Sequence, residues 1–329
     1  MTEQLKAKIE KSKEVLRLSA EMSEHYYQEP IVICYSGGKD SDVILRLAME
    51  CLKPSQFEVL HSITTVDSPV TNRYVNEVFE ELKEKGIKAR KSIPVGKDGE
   101  PTNMWKLIPE KKLPPTRVVR YCCQVLKETQ TPNRVAILGV RADESAKRQG
   151  RDVFGVRGGT YGEAKFFSLE HTAEVHREAL EKEKEPNGTV WDCTLIKIMR
   201  ERQDTVVSPI YEWNDSDVWD YIKWGGWKYN PMYDMGYHRV GCIGCPLATY
   251  KQKLKEFADF PTYKKLYIRA FEEMLKRNPK EDGEWKNGED VFNWWIEENR
   301  HNVKGQMTLA DYTTDEWGLI VKESEKGNK

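Results

Sequence analysis

A short stretch of polar and glycine residues directly follows an apolar run near the start of the chain. Ile31–Cys34 has the composition of a buried strand, and the apolar residues after Asp42 recur at helical spacing. A glycine-rich turn between a strand and the N-terminus of a helix leaves backbone N–H groups free, and the helix dipole adds positive potential. Phosphate is the natural ligand of such a turn. The turn is not the GxxxxGK(S/T) loop, because its lysine follows the glycine pair directly.

The residue types in this turn suit nucleotide chemistry. Its two glycines allow the backbone to approach an anion closely, and its two serines add hydroxyl donors. Lys39 supplies a full charge against a leaving pyrophosphate, and Asp40 could either position magnesium or cap the helix. An exposed turn is the alternative. We predict that Lys39, Asp40 and Ser41 are catalytic and that the following residues bind ATP with Mg²⁺: Ser36, Gly37, Gly38, Lys39, Asp40 and Ser41.

Three arginines form a second candidate group for phosphate binding. Arg141 follows the apolar segment Arg134–Val140, and Arg148 and Arg151 come shortly after it. Guanidinium groups match phosphate oxygens in geometry, and the end of a buried strand is where open α/β sheets bind ligands. The alternative is a solvated basic turn. Asp67, just after the second predicted strand, could accept a hydrogen bond from ribose or adenine, or could cap a turn.

Four cysteines are grouped in two pairs. Cys122 precedes Cys123, and Cys242 and Cys245 form a CxxC. A lone CxxC fits a redox pair, a zinc half-site or an iron–sulfur half-site, whereas a second pair favours a site of four thiolates. Zinc usually takes two CxxC knuckles, which adjacent cysteines form poorly. Unrelated thiols are the alternative. The other cysteines are expected to be structural, with the last of them a possible sulfur-handling thiol: Cys34, Cys51 and Cys193.

The elements that must position these residues alternate between helix and strand. This alternation predicts an α/β, doubly wound and mostly parallel sheet with a helical C-terminal extension. The segment TLIKIMR is interpreted as one further strand, and Asn214 is predicted to cap a helix. We expect an N-terminal helix over residues 1–29, a nucleotide-binding domain with the cluster cysteines over 30–250, and a helical region over 251–329.

The overall composition restricts the class of protein. The chain has 329 residues with 52 basic and 53 acidic side chains, a net charge of -1. This balance argues against a general electrostatic DNA-binding protein but allows a local basic patch. No apolar run reaches the roughly 18 residues of a membrane span. The charged N-terminus lacks the apolar core of a secretory signal, so we expect a cytoplasmic protein with reduced thiols.

The motifs resemble those of a known family. SGGKDS resembles the PP-loop of the adenine-nucleotide α-hydrolase-like ATP pyrophosphatases, which have a Rossmann-like fold. Three further segments are similar to motifs of the phosphoadenosine phosphosulfate (PAPS) reductase branch: TTVDSPVTNRYVNEV, LGVRADESAKRQGR and SPIYEWNDSDVWDYI. The resemblance covers roughly residues 30–250. It implies that Asp67 contacts adenosine and that the arginines at 141, 148 and 151 belong to a second phosphate motif.

The cysteine pairs resemble the CC…CxxC motif of adenosine phosphosulfate (APS) reductases, including the CCxxxK run that ends at Lys127. This resemblance implies a [4Fe–4S] cluster, rather than zinc, on the four paired cysteines: Cys122, Cys123, Cys242 and Cys245.

The feature set is most similar to that of the sulfurtransferase of DNA phosphorothioation systems, which joins a PP-loop to an iron–sulfur cluster. The resemblance implies that ATP adenylates an acceptor, here a nucleic acid, and that sulfur then displaces AMP. It also implies a cysteine desulfurase as sulfur donor and DNA-modification partner proteins. The basic and aromatic segment YKKLYIRAFEEMLKRNPK could contact the acceptor, although an ordinary amphipathic helix has the same pattern.

The main alternative is an APS or PAPS reductase, which releases sulfite from a sulfonucleotide. Those enzymes use a nucleophilic cysteine in a C-terminal ECGLH segment and tend to lose the PP-loop lysine. This chain has no cysteine after Cys245 and retains Lys39. A cluster-bearing regulatory subunit that only binds nucleotide and an ATP sulfurylase small subunit are the remaining alternatives, although the second has no evident need for cluster cysteines.

Overall fold

The structure is a computed structural model that describes residues 1–156, 164–185, 193–279 and 285–297 and two short strands near the C-terminus. The chain forms two compact units whose segments alternate along the sequence. The first unit comprises Met1–Ser62, Pro69–Ser92 and Thr131–Val240, and the second comprises Ile63–Ser68, Ile93–Gln130 and Gly241–Lys329. The boundaries expected near residues 29 and 250 do not coincide with these limits, because each unit is assembled from segments that are distant in sequence.

A sheet lies at the centre of the first unit, and its seven described strands alternate with helices along the chain. In chain order the strands are β1 (Ile31–Cys34), β2 (Phe57–Ser62), β3 (Ala89–Ser92), β4 (Val135–Ile137), β5 (Phe154–Val156), β6 (Lys165–Phe167) and β7 (Thr205–Val207). Their spatial order is β3-β2-β1-β4-β7-β5-β6. The first five strands in this order are parallel, whereas β5 is antiparallel to both of its neighbours. The predicted α/β fold with a mostly parallel sheet is confirmed.

Helices connect the strands and form most of the second unit. In chain order those described are α1 (Glu3–Met22), α2 (Lys39–Cys51), α3 (Pro69–Glu84), α4 (Met104–Lys111), α5 (Tyr121–Cys123), α6 (Ala146–Gln149), α7 (Leu169–Lys182), α8 (Thr194–Arg200), α9 (Asp215–Gly225), α10 (Tyr250–Asp259), α11 (Pro261–Arg277) and α12 (Gly288–Glu297). The predicted cap of α9 is confirmed: Asn214 Oδ1 accepts from the Asp217 N–H at 2.9 Å. Reciprocally, Asp217 Oδ2 accepts from the Asn214 N–H at 2.9 Å.

The interpretation of TLIKIMR as a strand was wrong, because these residues form α8. The buried side chains of α8 belong to Leu195, Ile196, Ile198 and Met199. This spacing places them on one face of a helix, whereas a strand would alternate inward and outward residues. In a short apolar run without polar alternation, the two patterns are difficult to separate from sequence alone.

The strand order reverses beside β1, and this reversal determines where ligands can bind. The chain continues from β1 to β2 on one side, and later places β4 on the other side. Ile31, Val32 and Ile33 are fully buried, as expected for a parallel strand covered on both faces. The carboxyl ends of β1 and β4 therefore flank a topological switch point, the usual ligand position in open α/β sheets.

The second unit has its own aromatic core. Tyr267 and Phe271 on α11 and Trp295 on α12 are each fully buried in it. The helical C-terminal extension predicted from the sequence is confirmed for α10, α11 and α12. Two short strands that the sequence did not suggest, β8 (Tyr312–Thr314) and β9 (Ile320–Lys322), pair antiparallel. Within the described part of the chain, none of the helices has the length and apolar character needed to cross a bilayer.

Candidate nucleotide-binding and cysteine sites

Three adjacent parallel strands of the first unit lead into the charged residues of the candidate nucleotide site. The glycine-rich turn follows β1, Arg141 follows β4, and Asp215 begins α9 after β7. The structure thus brings together two of the basic residues that the sequence singled out, Lys39 and Arg141, through a shared acidic partner at Asp215. Asp215 was not predicted.

The turn after β1 is held open by hydrogen bonds rather than by packing alone. Gly37 has a φ of +74°, and a Cβ at this position would lie 2.9 Å from Val75 Cγ2, so the residue must be glycine. Ser41 Oγ donates to the Gly38 carbonyl at 2.8 Å. Two residues from late in the sequence of the first unit also contact the turn. Asn230 Nδ2 donates to the Gly37 carbonyl at 2.8 Å, and Tyr233 Oη accepts from the Lys39 N–H at 2.9 Å. The turn therefore has one fixed backbone conformation.

Lys39 is a buried cation at the N-terminus of α2. The residue is 5% exposed, and its Nζ lies 3.0 Å from Asp215 Oδ1 and 3.6 Å from Asp40 Oδ2. A buried ammonium is stable only when it is paired, and these carboxylates provide the pairing. The predicted site lysine is thus already directed into a charged cluster.

Arg141 completes this cluster and leaves one donor group unused. The residue is 3% exposed, its Nε donates to Asp40 Oδ1 at 2.7 Å, and its Nη2 donates to Asp215 Oδ1 at 3.1 Å. Its Nη1 is buried, lies 3.7 Å from Asp143 Oδ2 and has no hydrogen-bond partner among the described residues. Buried donors are normally satisfied, so an unpaired one indicates a missing acceptor such as a phosphate oxygen. Of the two roles considered for Asp40, the structure disfavours the helix cap: Asp40 binds Arg141, while Gly38 is the N-cap of α2.

Of the other two predicted arginines, Arg148 lies close enough to Asp40 and Arg141 to interact with them electrostatically, and Arg151 lies near Arg148. Arg148 forms an ion pair with Glu144, and the Arg151 guanidinium lies 5.5 Å from the centre of the Phe166 ring. Burial, followed by the nearby positive charges of Arg239 and Arg151, lowers the pKa of Arg148. Neighbouring like charges oppose one another until an anion binds between them, so this arrangement suits a phosphate or sulfate group.

An open cleft of about 240 Å³ adjoins the cluster within the first unit. Asp215 lies on its wall, and Trp219, Tyr229 and Tyr233 provide aromatic surface. The Tyr233 ring also lies 5.9 Å from Lys39 Nζ. The cleft gives a ligand access to the cation cluster from solvent.

The second unit brings the four paired cysteines together. The Cys122 thiol hydrogen-bonds with the neighbouring thiol of Cys123, and the charges of Cys242 and Cys245 act on it. The hydrogen bond from Cys122 lowers the pKa of Cys123 to about 6, against the effect of burial and with help from Lys127. Burial raises the pKa of Cys242 to about 12. Cys193, the possible sulfur-handling thiol, belongs to the first unit and packs beside its core.

The CxxC turn is fixed by buried groups that the sequence did not single out. Glu256 Oε2 accepts from the Gly244 N–H at 2.7 Å, and Tyr267 Oη donates to the Ile243 carbonyl at 2.9 Å. Gly244 has a φ of +70°, and a Cβ there would lie 2.7 Å from Trp295 Cη2. The buried groups of the second unit therefore fix the backbone between the two CxxC cysteines.

Asp67 and Lys127 both border Cys242. The neighbouring sulfur of Cys242, followed by the carboxylate of Asp67, raises the pKa of Lys127. Asp67 Oδ2 accepts from Thr64 Oγ1 at 2.6 Å, and the Asp67 carbonyl accepts from Tyr263 Oη at 2.7 Å. Asp67 thus has a structural role within the second unit, and its contact with ribose or adenine stays a prediction.

The donor set of this cysteine site is compatible with a soft metal group. Four thiols with a lysine beside them suit an anionic sulfur-ligated centre, for which iron–sulfur clusters and zinc are the usual candidates. Within the described ranges, no three His, Cys, Asp or Glu side chains already converge on one ion position. The identity of the group, a cluster or a zinc ion, therefore stays a prediction.

Comparison with known proteins identifies relatives that share these motifs. A family model described as the phosphoadenosine phosphosulfate reductase domain matches residues 30–248. An uncharacterized protein of Methanocaldococcus jannaschii is 23% identical over 276 residues, which are 81% of this chain and 46% of that protein. An adenosine 5'-phosphosulfate reductase of Anoxybacillus flavithermus is 31% identical over 70 residues, 21% of this chain and 30% of that enzyme. The chain spans about half the length, or less, of these curated relatives.

Solved structures provide more distant likenesses. A phosphoadenylyl-sulfate reductase from Candida auris has 15% sequence identity and a TM-score of 0.41, covering 70% of this chain and 87% of that one. A U34-tRNA thiolase from Methanococcus maripaludis, solved with its [4Fe–4S] cluster, has 12% identity and a TM-score of 0.41, covering 95% and 87%. Both are too distant to carry a function over. The family model, in contrast, covers well over half of the chain, and the protein therefore belongs to the phosphoadenosine phosphosulfate reductase family within the adenine-nucleotide α-hydrolase-like superfamily.

Proposed function

We propose that the protein is an ATP pyrophosphatase that adenylates an acceptor for sulfur transfer. The observation that carries this proposal is the buried pair of cations at the switch point. Lys39 and Arg141 are 5% and 3% exposed, and a buried N–H of Arg141 lacks an acceptor. Fixed cations in a site of low dielectric stabilise the charge that develops on a leaving pyrophosphate.

Each component of the nucleotide site has a place in this reaction. The N–H groups at the start of α2 and the hydroxyls of Ser36 and Ser41 would bind phosphate oxygens. Asp40, which carries a carboxylate beside Lys39, would hold Mg²⁺ together with those phosphates, since Mg²⁺ usually takes one or two carboxylates. Arg141 would orient the phosphate chain through its unused donor.

The reaction consists of three displacements. An oxygen of the acceptor attacks the α-phosphorus of ATP, and the bond to the bridging oxygen breaks as pyrophosphate leaves. A persulfide, supplied by a cysteine desulfurase, then attacks the activated centre, and AMP leaves with the acceptor oxygen. A second thiol attacks the resulting disulfide, which releases the acceptor as a thiolate and oxidises the two donor thiols to a disulfide.

The four paired cysteines would hold a [4Fe–4S] cluster. Such a group would supply an electron-transferring or polarising iron–sulfur centre, or would keep the fold in place. Lys127 balances negative charge on this thiolate set, and Glu256 keeps the CxxC turn in position. The proposed acceptor is a nucleic acid, with DNA-modification proteins as partners. The motif set supports this proposal, together with the alternation of Tyr, Lys and Arg along α11.

The test is a product assay on protein purified without oxygen. ATP labelled at the α-phosphate is incubated with Mg²⁺, with and without DNA or tRNA. We expect labelled AMP and equimolar pyrophosphate, in larger amounts when the acceptor is present. Release of ADP and phosphate, or no turnover with either nucleic acid, would contradict the proposal.

Reduction of a sulfonucleotide is the second candidate function. The family model that matches residues 30–248 and the similarity to an adenosine 5'-phosphosulfate reductase favour it. The same protein preparation is therefore incubated with APS or PAPS and a thiol reductant. Sulfite release with ATP left intact would establish this second function instead of the first.

A further inference from the structure

Asp215 occupies a position that a phosphate group would otherwise take. Its Oδ1 lies 3.0 Å from Lys39 Nζ and 3.1 Å from Arg141 Nη2, so one carboxylate oxygen binds both buried cations. Burial alone would raise the pKa of Asp215, but the hydrogen bond and charge of Lys39, with those of Arg141, hold this pKa below its usual range. The carboxylate is therefore ionised at neutral pH and acts as an internal anion.

The cluster is close to electrically neutral when it contains only protein groups. Lys39 and Arg141 contribute two positive charges, and Asp40 and Asp215 contribute two negative charges. A polyphosphate that enters this neutral cluster gains less electrostatic energy than it would beside two unpaired cations. The nucleotide must therefore displace a carboxylate from the cations, which makes the net binding free energy less favourable.

Asp215 is the carboxylate that can move. Its side chain is 57% exposed and borders the open cleft, whereas the Asp40 side chain is 22% exposed. The backbone at Asp215 is fixed by the cap formed between Asn214 and Asp217. Rotation of the Asp215 side chain into the cleft would thus release one of the two carboxylates that pair with each cation, without moving α9.

We propose that Asp215 is a displaceable internal competitor of the nucleotide, which pairs with Lys39 and Arg141 until a polyphosphate replaces it. This inference rests on the proposed nucleotide function of the same site. It makes Asp215 a residue that sets the affinity for polyphosphate. In the free protein the same carboxylate adds to the pairing that Asp40 already gives the two buried cations.

The experiment measures the binding of magnesium-free pyrophosphate by titration calorimetry. Asp215→Asn removes the competing charge and should bind pyrophosphate more tightly by roughly tenfold, which corresponds to about 1.4 kcal/mol. Asp143→Asn is the matched control, because its side chain is also 57% exposed and lies 3.7 Å from Arg141 Nη1. This control removes the same charge without contacting Lys39, so its affinity should rise less than about threefold.

Further outcomes separate this inference from the proposed function. Weaker or unchanged binding by Asp215→Asn overturns the inference, as does an equal gain in both variants. Weaker binding that is confined to Mg²⁺-containing buffer would show instead that Asp215 is a metal ligand. If Lys39→Ala binds pyrophosphate as well as the original protein does, the glycine-rich turn is not the phosphate site and the proposed function fails. Loss of binding in Lys39→Ala with no gain in Asp215→Asn would remove the inference alone.

Discussion

The nucleotide site and the cysteine site are built in opposite ways. In the first unit, charged side chains neutralise one another within a turn of fixed backbone. In the second unit, buried neighbours such as Tyr267 and Trp295 contact the backbone of the CxxC turn and so fix the segment that carries two of the four thiols. The first site should therefore lose function when one of its cations is removed and keep its fold. The second should lose its fold and its ligand together.

The largest expected effect is on catalysis at Lys39. Lys39→Ala should reduce the release of AMP and pyrophosphate by roughly 100-fold or more, because a fixed cation in a dry site no longer stabilises the leaving group. Thermal unfolding should remain cooperative, since Arg141 still pairs with Asp40 and Asp215. Lys88→Ala, at a side chain that is 70% exposed in the same unit, is the matched control and should keep full turnover. Equal activity in the two variants would mean that the turn does not bind the leaving phosphates.

The next largest effect is expected at the cysteine site of the second unit. Cys242→Ser should abolish the visible absorbance and most of the bound iron of protein purified without oxygen, because a serine oxygen is a poor cluster ligand. Cys51→Ser is the control, since Cys51 packs beside the core of the first unit. Iron content that is unchanged in Cys242→Ser would remove this residue from the ligand set. Bound zinc without iron would correct the identity of the metal.

The difference between the sites also explains what could be read from the sequence. Lys39 and the other residues of its turn are contiguous, and Arg141 follows an apolar segment, so local pattern was sufficient to select them. Tyr233 contacts the Lys39 backbone from 194 positions away, and only the fold reveals that contact. Asp215 resembles any acidic residue in the first turn of a helix, which normally interacts only with the helix dipole.

The cysteine site shows the same limit more strongly. Its ligand candidates were recognisable in the sequence because pairs of cysteines are rare. The groups that position these cysteines could not be recognised in the sequence. Glu256 and Tyr267 lie on helices whose apolar and charged residues follow an ordinary amphipathic pattern. A buried glutamate that accepts a backbone N–H is indistinguishable in sequence from an exposed one. The division into two units could not be predicted from the sequence either, because the second unit includes segments from the middle of the chain.

A smaller effect should appear in the stability of the second unit at Gly244. Gly244→Ala should lower the free energy of unfolding by about 3 kcal/mol, of which about 1 kcal/mol comes from the left-handed backbone and the rest from overlap with Trp295. Gly99 in the same unit has a φ of +80°, and a Cβ there would meet nothing within 4 Å. Gly99→Ala should therefore cost only about 1 kcal/mol in denaturant unfolding. Equal losses would show that the packing around the CxxC turn does not position it.

The smallest effect concerns Asp42, a buried carboxyl of α2 close to the nucleotide site. It tests whether a carboxylate there would be paired with positive charge, as Asp40 and Asp215 are. Burial raises the pKa of Asp42 to about 7, although Tyr35 Oη donates to its Oδ1 at 2.5 Å. The hydrogen bonds of Tyr35 and Tyr74 and the charge of Arg46 oppose this effect of burial on the pKa without cancelling it. Because the pKa is higher in the folded state than in the unfolded state, protonation favours folding. The stability from Asp42 is therefore complete below about pH 4 and declines as the pH rises through 7.

Asp42→Asn mimics the protonated form of this carboxyl. In denaturant unfolding at pH 8, its free energy of unfolding should exceed that of the original protein by about 2 kcal/mol, with little difference at pH 4. A variant that is less stable at pH 8 would show that the Asp42 charge is balanced after all, and that the neutralisation seen at Lys39 and Arg141 extends through the whole N-terminal turn of α2.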